Sequence, residues 1–334
     1  MTMEEQFSGK TILVTGGTGS IGSELVEQVL SYNPRQVRVL SRDEGRQYEL
    51  LEKMRYPQNL RLLIGDIRDR DRIMYAFKDV DIVLHAAAMK QVPLCEYNPS
   101  EAVKTNILGS QNVIEAALKN NVKKVIAIST DKAVYPANVM GVSKLMMEKM
   151  FINANWTSGK SDTTFSCVRF GNVTWARGSV LPNWKKQAET EGSINVTNGE
   201  MTRFMMSIEQ AVRLVLKAVD LTQLGEVFVL KMPSTTINDL AKMFIEKYYP
   251  HNNIRINHTG ARAGDRMHEE LVDDADRIGY IMENDEMYAF VPNFLEITGF
   301  MHELPRYPGF TQIPSLNRYT SDKHLNPEKI KNII

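Results

Sequence analysis

Residues 11–22, TILVTGGTGSIG, place three glycines, Gly16, Gly19 and Gly22, directly after a short apolar run. The run predicts a buried strand, and residues 23–30 (SELVEQVL) carry apolar side chains at helical spacing. Glycines between a strand and a helix allow a tight turn and let a pyrophosphate approach the N–H groups at the helix start. The stretch therefore predicts a dinucleotide-binding loop near the beginning of an α/β fold with a doubly wound parallel sheet.

A second stretch, residues 125–144 (VIAISTDKAVYPANVMGVSK), begins with four apolar residues that predict another buried strand. It turns polar at residues 129–132, where two hydroxyls, a carboxylate and an amine follow one another. In an open parallel sheet, ligands bind just beyond the carboxyl ends of the strands. The reacting groups are therefore expected among residues 129–132.

A helix is predicted to open near Met140, and Lys144 shares its helix face, so both side chains are expected to point toward the polar cluster. The Ser-Thr-Asp-Lys sequence and the following residue-x-x-x-Lys motif resemble the active site of extended short-chain dehydrogenases/reductases. Among these, the chain resembles the 4,6-dehydratases that act on UDP-N-acetylglucosamine. Most of the superfamily has tyrosine at position 140, whereas a thioether cannot exchange a proton. Methionine there also resembles a dehydratase branch that makes capsule and flagellar sugars.

The resemblance covers the whole chain, most closely up to about residue 270. It implies an α/β Rossmann fold, a doubly wound parallel sheet with a smaller mixed C-terminal substrate-binding lobe. The expected parts are an NADP-binding domain at residues 1–172, to which later segments return, a sugar-nucleotide lobe at 173–280 and a C-terminal extension at 281–334. The extension is expected to pack on its own or on a neighbouring subunit.

Composition narrows the class of protein and the kinds of partner. The 334 residues include 40 basic and 40 acidic side chains, so net charge favours neither nucleic acid nor an anionic membrane as partner. No apolar run approaches the roughly 18 residues needed to span a bilayer, and the N-terminus has no secretory apolar region. Two core-like cysteines, Cys95 and Cys167, favour a reducing compartment. We expect a cytoplasmic protein without a bound metal ion.

The choice of cofactor depends on the end of the second predicted strand, residues 36–40. NAD-binding proteins usually carry an acidic residue at this strand end, whereas an arginine nearby accommodates the 2′-phosphate of NADP. Ser41 stands at the end itself, with Arg42 beside it and Arg46 one turn later. These residues favour NADP, and Asp43 leaves NAD open.

Further strands are predicted at residues 60–64, 80–84 and 164–169, each followed by small or polar residues. The resemblance implies that Asp66 and Ile67 lie against the adenine. The residues expected to bind the cofactor are Gly16, Thr18, Gly19, Ser20, Ile21, Gly22, Ser41, Arg42, Asp43, Arg46, Asp66, Ile67, Ala86, Ala87, Ala88, Lys90, Asn106, Lys144, Phe170 and Asn172.

The resemblance places the sugar nucleotide between the end of the 164–169 strand and two later segments, residues 201–204 and 260–269. Arg203 and Arg262 suit its diphosphate, because a planar guanidinium can bind phosphate oxygens bidentately. The residues expected to bind UDP-N-acetylglucosamine are Lys90, Thr130, Asn172, Ser179, Val180, Thr202, Arg203, Arg262, His268 and Glu269.

The implied reaction oxidises C4 of the sugar, eliminates water across C5 and C6, and returns the hydride to C6, so net redox is nil. It needs one acid, one base and a group that stabilises the C4 oxygen. We expect Asp131 to protonate the C6 hydroxyl, Lys132 to remove the C5 proton with a pKa lowered by desolvation, and Thr130 to bond the C4 oxygen. Lys144 would hold the nicotinamide ribose, and Met140 occupies the position of the usual tyrosine.

Several alternatives remain open from the sequence. The Asp-Lys pair resembles inverting enzymes, but retention at C5 and release of a 5,6-ene are chemically possible. A 4-epimerase needs no acid–base pair aimed at C5 and C6, so the pair argues against that activity. A non-catalytic NADP-binding sensor would explain the missing tyrosine. Homo-oligomers are usual in the family, and one is expected here.

Overall fold

The computed structural model describes residues 2–157, 159, 161–262, 264–274, 276, 279–293 and 304–334. Its strands are β1 (Thr11–Thr15), β2 (Gln36–Ser41), β3 (Leu60–Ile64), β4 (Ile82–His85), β5 (Lys124–Ile128), β6 (Thr164–Arg169), β7 (Asn172–Val173), β8 (Ser193–Val196), β9 (Thr202–Met206), β10 (Val227–Leu230), β11 (Ser234–Thr236), β12 (Arg255–His258), β13 (Tyr280–Glu283), β14 (Met287–Val291) and β15 (Thr311–Ile313).

The helices alternate with these strands in the first half of the chain. They are α1 (Met3–Phe7), α2 (Ser20–Leu30), α3 (Glu44–Lys53), α4 (Arg70–Ala76), α5 (Val92–Tyr97), α6 (Pro99–Ala102), α7 (Gly109–Lys119), α8 (Val139–Thr157), α9 (Val180–Glu191), α10 (Ile208–Leu221), α11 (Ile237–Tyr248) and α12 (Pro327–Lys331), with a π-helical segment at Val103–Leu108 between α6 and α7.

A central sheet of ten strands organises the described residues, in the order β15-β13-β14-β10-β6-β5-β4-β1-β2-β3. The strands from β10 to β3 run parallel, as expected when helices connect successive strands. Side chains of β1, β4 and β5 are almost all buried, because helices cover both faces of the sheet. The predicted α/β fold class is confirmed.

The register brings several strand ends to one edge of the sheet. Thr15 of β1 pairs with His85 of β4, His85 pairs with Ala127 of β5, and Ala127 pairs with Cys167 of β6. The segments that leave the carboxyl ends of these four strands therefore lie side by side. They are the segments in which the sequence places cofactor and substrate residues.

The C-terminal part of the chain contributes to the central sheet as well. β14 pairs antiparallel with β10, β13 pairs with β14, and β15 pairs with β13. The described residues of the segment expected as a C-terminal extension, 281–293 and 304–334, thus complete one side of the sheet. Its end also packs inward, since Ile330 of α12 joins a buried cluster with residues of α9 and α11.

That buried cluster forms a second core beside the sheet. Trp184 of α9, Phe244 of α11 and Ile194 of β8 are among its members, and short sheets β8-β12 and β7-β9-β11 surround it. None of the described helices is long and apolar enough to cross a membrane. Cys95 and Cys167 are both buried and free, as the sequence predicts.

Candidate active site

The glycine loop between β1 and α2 packs tightly against the segment that follows β4. Gly16 has φ +66°, and a Cβ there would lie 2.7 Å from the backbone nitrogen of Ala87. A Cβ on Gly22 would collide with the carbonyl oxygen of Gly16. Only glycine fits these two positions, because a side chain at Gly16 would push the loop away from the segment after β4, and one at Gly22 would push the helix start away from the loop.

The start of α2 suits a phosphate group. Gly19 is its N-cap residue and has no side chain to cap the helix, so the first N–H groups of this 11-residue helix remain available to an anion. The predicted residues Thr18, Ser20 and Ile21 surround this helix start, and Ala86 and Ala88 flank Ala87 on the neighbouring segment. The structure thus brings the two predicted halves of the cofactor site together.

A strap, defined here as residues 174–179, contacts this loop and the segment that follows β4. The Arg177 N–H donates to Ser20 Oγ at 2.8 Å, and Lys90 Nζ donates to the Arg177 carbonyl at 2.9 Å. Ser179 ends the strap as the N-cap of α9, which begins at Val180. Lys90, predicted to bind both ligands, therefore joins the segment after β4 to the strap.

The end of β2 has a different arrangement of charge from that of a typical NAD site. Ser41 Oγ accepts a bond from Gln47 Nε2, and the Asp43 carboxylate caps α3 by accepting from the Arg46 N–H at 3.0 Å. Arg46 also pairs with Asp43 at 3.4 Å. Arg42 extends toward solvent, 3.7 Å from Asp66. Asp43 thus has a structural partner, whereas the side chain of Arg42 is largely exposed.

Three other predicted cofactor residues, Asn106, Ile67 and Phe170, make contacts within the protein beside the site. Asn106, in the π-helical segment, accepts from the Met89 N–H at 2.8 Å and donates to the Met89 carbonyl and to Ser143 Oγ. Ile67 is buried in the core. The carbonyl of Phe170 accepts from the Asp131 N–H at 3.1 Å, which links β6 to the polar cluster after β5. These residues fix backbone that borders the site.

The polar cluster after β5 is closely connected. Lys132 Nζ donates to Asp131 Oδ1 at 2.9 Å and to Asn172 Oδ1 at 3.3 Å, and it lies 3.4 Å from Glu269 Oε1. Thr130 Oγ1 donates to the same Asp131 Oδ1 at 2.8 Å. Asp131 is fully buried, so this network holds a carboxylate and an ammonium in contact at the edge of the sheet.

The pKa of Lys132 differs from the sequence expectation. Burial lowers it, but the Asp131 and Glu269 carboxylates outweigh both burial and the nearby Arg203, so the pKa of Lys132 is raised above its usual value. The predicted depression of this pKa is therefore wrong for the structure as it stands. The largest opposing effect comes from Asp131, the adjacent residue, and Glu269, from a distant part of the chain, adds to it.

Lys144 and Met140 occupy different surroundings although they share a helix. Lys144 Nζ donates to the carbonyl of Ile128 at the end of β5, and burial lowers the pKa of Lys144 to about 8. Met140 packs in a small apolar cluster with Cys95 and Ala102. The position that carries tyrosine in most of the superfamily is thus lined here by apolar side chains.

The predicted substrate residues divide into two groups. Arg203 is buried, with Nε 3.7 Å from Glu269 Oε1, and Thr202 Oγ1 lies 2.9 Å from His268 Nδ1. These four residues meet because β9 pairs with the segment around His268. Arg262 stands apart: its side chain is exposed, and its N–H donates to Asp265.

Four buried polar atoms at this edge of the sheet have no hydrogen-bond partner among the described residues. They are Ser129 Oγ, Asp131 Oδ2, Ser179 Oγ and Glu269 Oε2. A buried polar atom without a partner is costly unless a ligand or water satisfies it. These atoms therefore indicate where a polar ligand would bind.

Sequence reasoning missed a buried charge network directly behind the site. Arg169, at the end of β6, donates to both carboxylate oxygens of Glu148 on α8 and to Asp276. It also donates to the carbonyl of Leu271 at 3.3 Å. Glu148 lies one turn after Lys144, so the network fixes the helix that carries this lysine. The partners lie 21 and 107 residues from Arg169, which no local pattern reveals.

The chain matches the family model described as polysaccharide biosynthesis protein over residues 12–290. It belongs to that family. An inverting UDP-N-acetylglucosamine 4,6-dehydratase from Campylobacter jejuni is 43% identical over 290 residues, which are 86% of this chain and 84% of that protein. A UDP-glucose 4-epimerase from Rickettsia bellii is 40% identical over 336 residues, 98% and 96% of the two chains.

A solved structure agrees with this assignment. The X-ray structure of Pen from Bacillus thuringiensis is 40% identical and superposes with a TM-score of 0.91, covering 98% of both chains. The resemblance to extended short-chain dehydrogenases/reductases of the nucleotide-sugar dehydratase type is confirmed for this member of the polysaccharide biosynthesis protein family.

Proposed function

We propose that this protein is a nucleotide-sugar 4,6-dehydratase. It converts UDP-N-acetylglucosamine to a UDP-4-keto-6-deoxy-N-acetylhexosamine with inversion at C5, for bacterial surface or flagellar glycan synthesis. The observation that carries the proposal is the buried contact of 2.9 Å between Asp131 and Lys132 at the end of β5. An acid and a base in contact suit elimination across two adjacent carbons, and the Campylobacter relative is named for this activity.

The residues at the glycine loop fit a dinucleotide. The close approach at Gly16 and Gly22 leaves backbone in reach of a pyrophosphate, and the uncapped start of α2 supplies N–H donors. Lys144 would hold the nicotinamide ribose. A nicotinamide bound there supplies the redox chemistry, removing a hydride from C4 and returning it to C6.

The acid and the base can share a single proton. Transfer from the Lys132 ammonium to the Asp131 carboxylate gives a neutral amine and a carboxylic acid with no change in total charge. The amine then takes the C5 proton while the acid protonates the C6 hydroxyl, which leaves as water. This restores the ion pair. The proton that the C4 hydroxyl loses on oxidation passes through Thr130 and water to solvent or to Lys132, and solvent supplies the proton that C5 later regains. Thr130 Oγ1, beside both groups, would bond the C4 oxygen.

We further propose that the cofactor is NADP. Ser41 puts no negative charge at the end of β2, Asp43 already caps α3, and Arg42 is exposed beside them. An arginine in this place can pair with the 2′-phosphate of NADP but gains nothing from NAD.

Replacing Arg42 with Ala tests the choice of cofactor. We expect the R42A variant to bind NADP about tenfold more weakly, because one charge-assisted contact is lost, and to bind NAD with unchanged affinity. Titration of the apo-protein with each cofactor measures both values. R61A is a matched control, since among the described residues the Arg61 side chain donates to the backbone carbonyls of Gln58 and Leu60 alone, at the far end of β3. Equal weakening for both cofactors would contradict the NADP proposal.

The main competitor is a 4-epimerase, which the Rickettsia relative is named for. The two activities differ in mass balance, because an epimerase conserves the mass of the sugar nucleotide and a dehydratase removes one water. Mass spectrometry of UDP-N-acetylglucosamine incubated with the protein therefore separates them. A product lighter by one water supports the dehydratase, whereas a product of unchanged mass and altered retention would contradict it.

We also propose a homo-oligomer, with the apolar side chains exposed on α5, the π-helical segment and α8 in the interface. The largest exposed apolar side chains of these elements are Leu94, Tyr97, Val103, Leu108, Val142 and Met146. Exposed apolar side chains on adjoining elements are typical of protein–protein contacts. We expect V142E to sediment as a smaller species than the wild-type protein. An unchanged sedimentation coefficient would contradict this interface.

A further inference from the structure

The ammonium of Lys132 is surrounded by acceptors from three parts of the chain. Asp131 belongs to the segment after β5, Asn172 begins β7, and Glu269 lies in the segment that bridges to β9. An ammonium has three N–H donors and no acceptor, so three oxygens at 2.9, 3.3 and 3.4 Å match its protonated form. Among the described residues, Arg203 is a further charged side chain that acts on this amine, and it lowers the pKa of Lys132.

Glu269 is held in place independently of Lys132. Its N–H donates to Ser321 Oγ at 2.9 Å, and Ser321 also contacts Thr202 of β9. Its Oε1 faces two cations, Lys132 at 3.4 Å and Arg203 at 3.7 Å. The carboxylate is buried, and its second oxygen has no partner among the described residues. Glu269 therefore applies a fixed negative charge to the amine.

We propose that Glu269 is a positioning residue that keeps the shared proton on the Asp131–Lys132 pair. Without it, the pair would lose this proton to solvent at lower pH, and no acid would remain to protonate the C6 hydroxyl. This role rests on the proposed dehydratase function for its consequence, because the shared proton matters only if it serves elimination. It adds a role to the sequence expectation that Glu269 binds the sugar nucleotide, which stays a prediction.

The test measures the unprotonated fraction of Lys132 directly. Brief labelling of the full-length protein with acetic anhydride between pH 7 and 10 acetylates amines in proportion to that fraction, and peptide mass spectrometry reports Lys132 against the other lysines. We expect E269Q to shift the labelling profile of Lys132 down by about one pH unit, hence about tenfold faster labelling at a fixed pH. A variant that only exposed the lysine would raise labelling without moving the pH at which the profile levels off, so the profile is extended to pH 12 for each protein.

E270Q is the matched control. Glu270 is the next residue, but its carboxylate pairs with the exposed Arg318 at 2.9 and 2.6 Å, away from Lys132. We expect its profile to coincide with that of wild type. E269D keeps the carboxylate but places it farther from Lys132, because aspartate is one methylene shorter. It should shift the labelling profile by less than E269Q does, and it serves as the test if E269Q folds poorly.

Superimposable profiles for wild type, E269D and folded E269Q would overturn the proposal. Because labelling needs no substrate, this result is independent of the proposed function. Failure of the wild-type protein to remove water from UDP-N-acetylglucosamine would instead refute the proposed dehydratase activity. The labelling experiment would still decide whether Glu269 controls the protonation of Lys132.

Discussion

Replacement of Lys132 by Met is expected to lower the rate of water loss from UDP-N-acetylglucosamine about a thousandfold, the usual scale for removing a general base. The variant lacks both the amine that takes the C5 proton and the source of the proton on Asp131. The cofactor should stay bound, because the glycine loop and the end of β2 make no use of Lys132. Single-turnover kinetics with retained cofactor quantified by absorbance measure both effects.

Lys124 provides a control on the same strand. It lies at the opposite end of β5, where its Nζ donates to the carbonyl of Val219. K124M makes the same change of side chain far from the polar cluster, and we expect turnover within twofold of wild type. If K132M turned over as fast as K124M, Lys132 would not be the base.

Replacement of Arg169 by Met is expected to lower the free energy of unfolding by about 3–5 kcal/mol, as is usual when one partner of a buried ion pair is removed. Arg169 is fully buried, and its loss leaves the carboxylates of Glu148 and Asp276 without their cation. Urea unfolding monitored by circular dichroism gives the change in midpoint and slope.

The comparison for this variant is R213M. Arg213 pairs with Glu286 at 2.7 Å, but its side chain is 70% exposed, so this substitution should cost no more than about 1 kcal/mol. Equal midpoints for R169M and R213M would show that the buried network does not stabilise the fold. R169M should also lose activity beyond its stability effect, because Glu148 fixes the helix that carries Lys144.

The first half of the fold could be predicted from local patterns. The runs at residues 11–15, 36–40, 60–64 and 164–169 match the observed strands within one residue, because short runs rich in β-branched and other apolar residues, bounded by turn residues, predict strands. The glycine loop was also predictable, because the backbone between β1 and α2 is packed so closely that Gly16 and Gly22 have no room for a side chain.

The later strands of the central sheet were not predictable in the same way. β10 and β13 return to the sheet after long excursions through the second core, and β14, which follows β13 directly, pairs antiparallel with β10. Local periodicity gives the type of an element but not its partner. A segment such as residues 281–334 therefore looks like an extension in the sequence and completes the sheet in the structure.

In the candidate site, too, the contacts between neighbouring residues could be predicted and those between distant residues could not. Asp131, Lys132 and Thr130 are consecutive, so their proximity followed from the sequence. The charges that set their protonation did not, because Glu269 and Arg203 reach them only through the pairing of β9 with the segment around His268. The expected lowering of the Lys132 pKa was wrong because the charges of Asp131 and Glu269 together outweigh desolvation, and the expectation counted only desolvation and the nicotinamide.

The most direct test of the central claim is proton NMR of UDP-N-acetylglucosamine incubated with the protein in deuterated water. The account predicts a new methyl signal with deuterium at C5, and ring couplings that show inversion there. Couplings of the retained sugar would correct the stereochemistry, and an olefinic signal would indicate release of the 5,6-ene. A spectrum without any methyl or olefinic signal, whether unchanged or that of a C4 epimer, would contradict the proposal that Asp131 and Lys132 eliminate water.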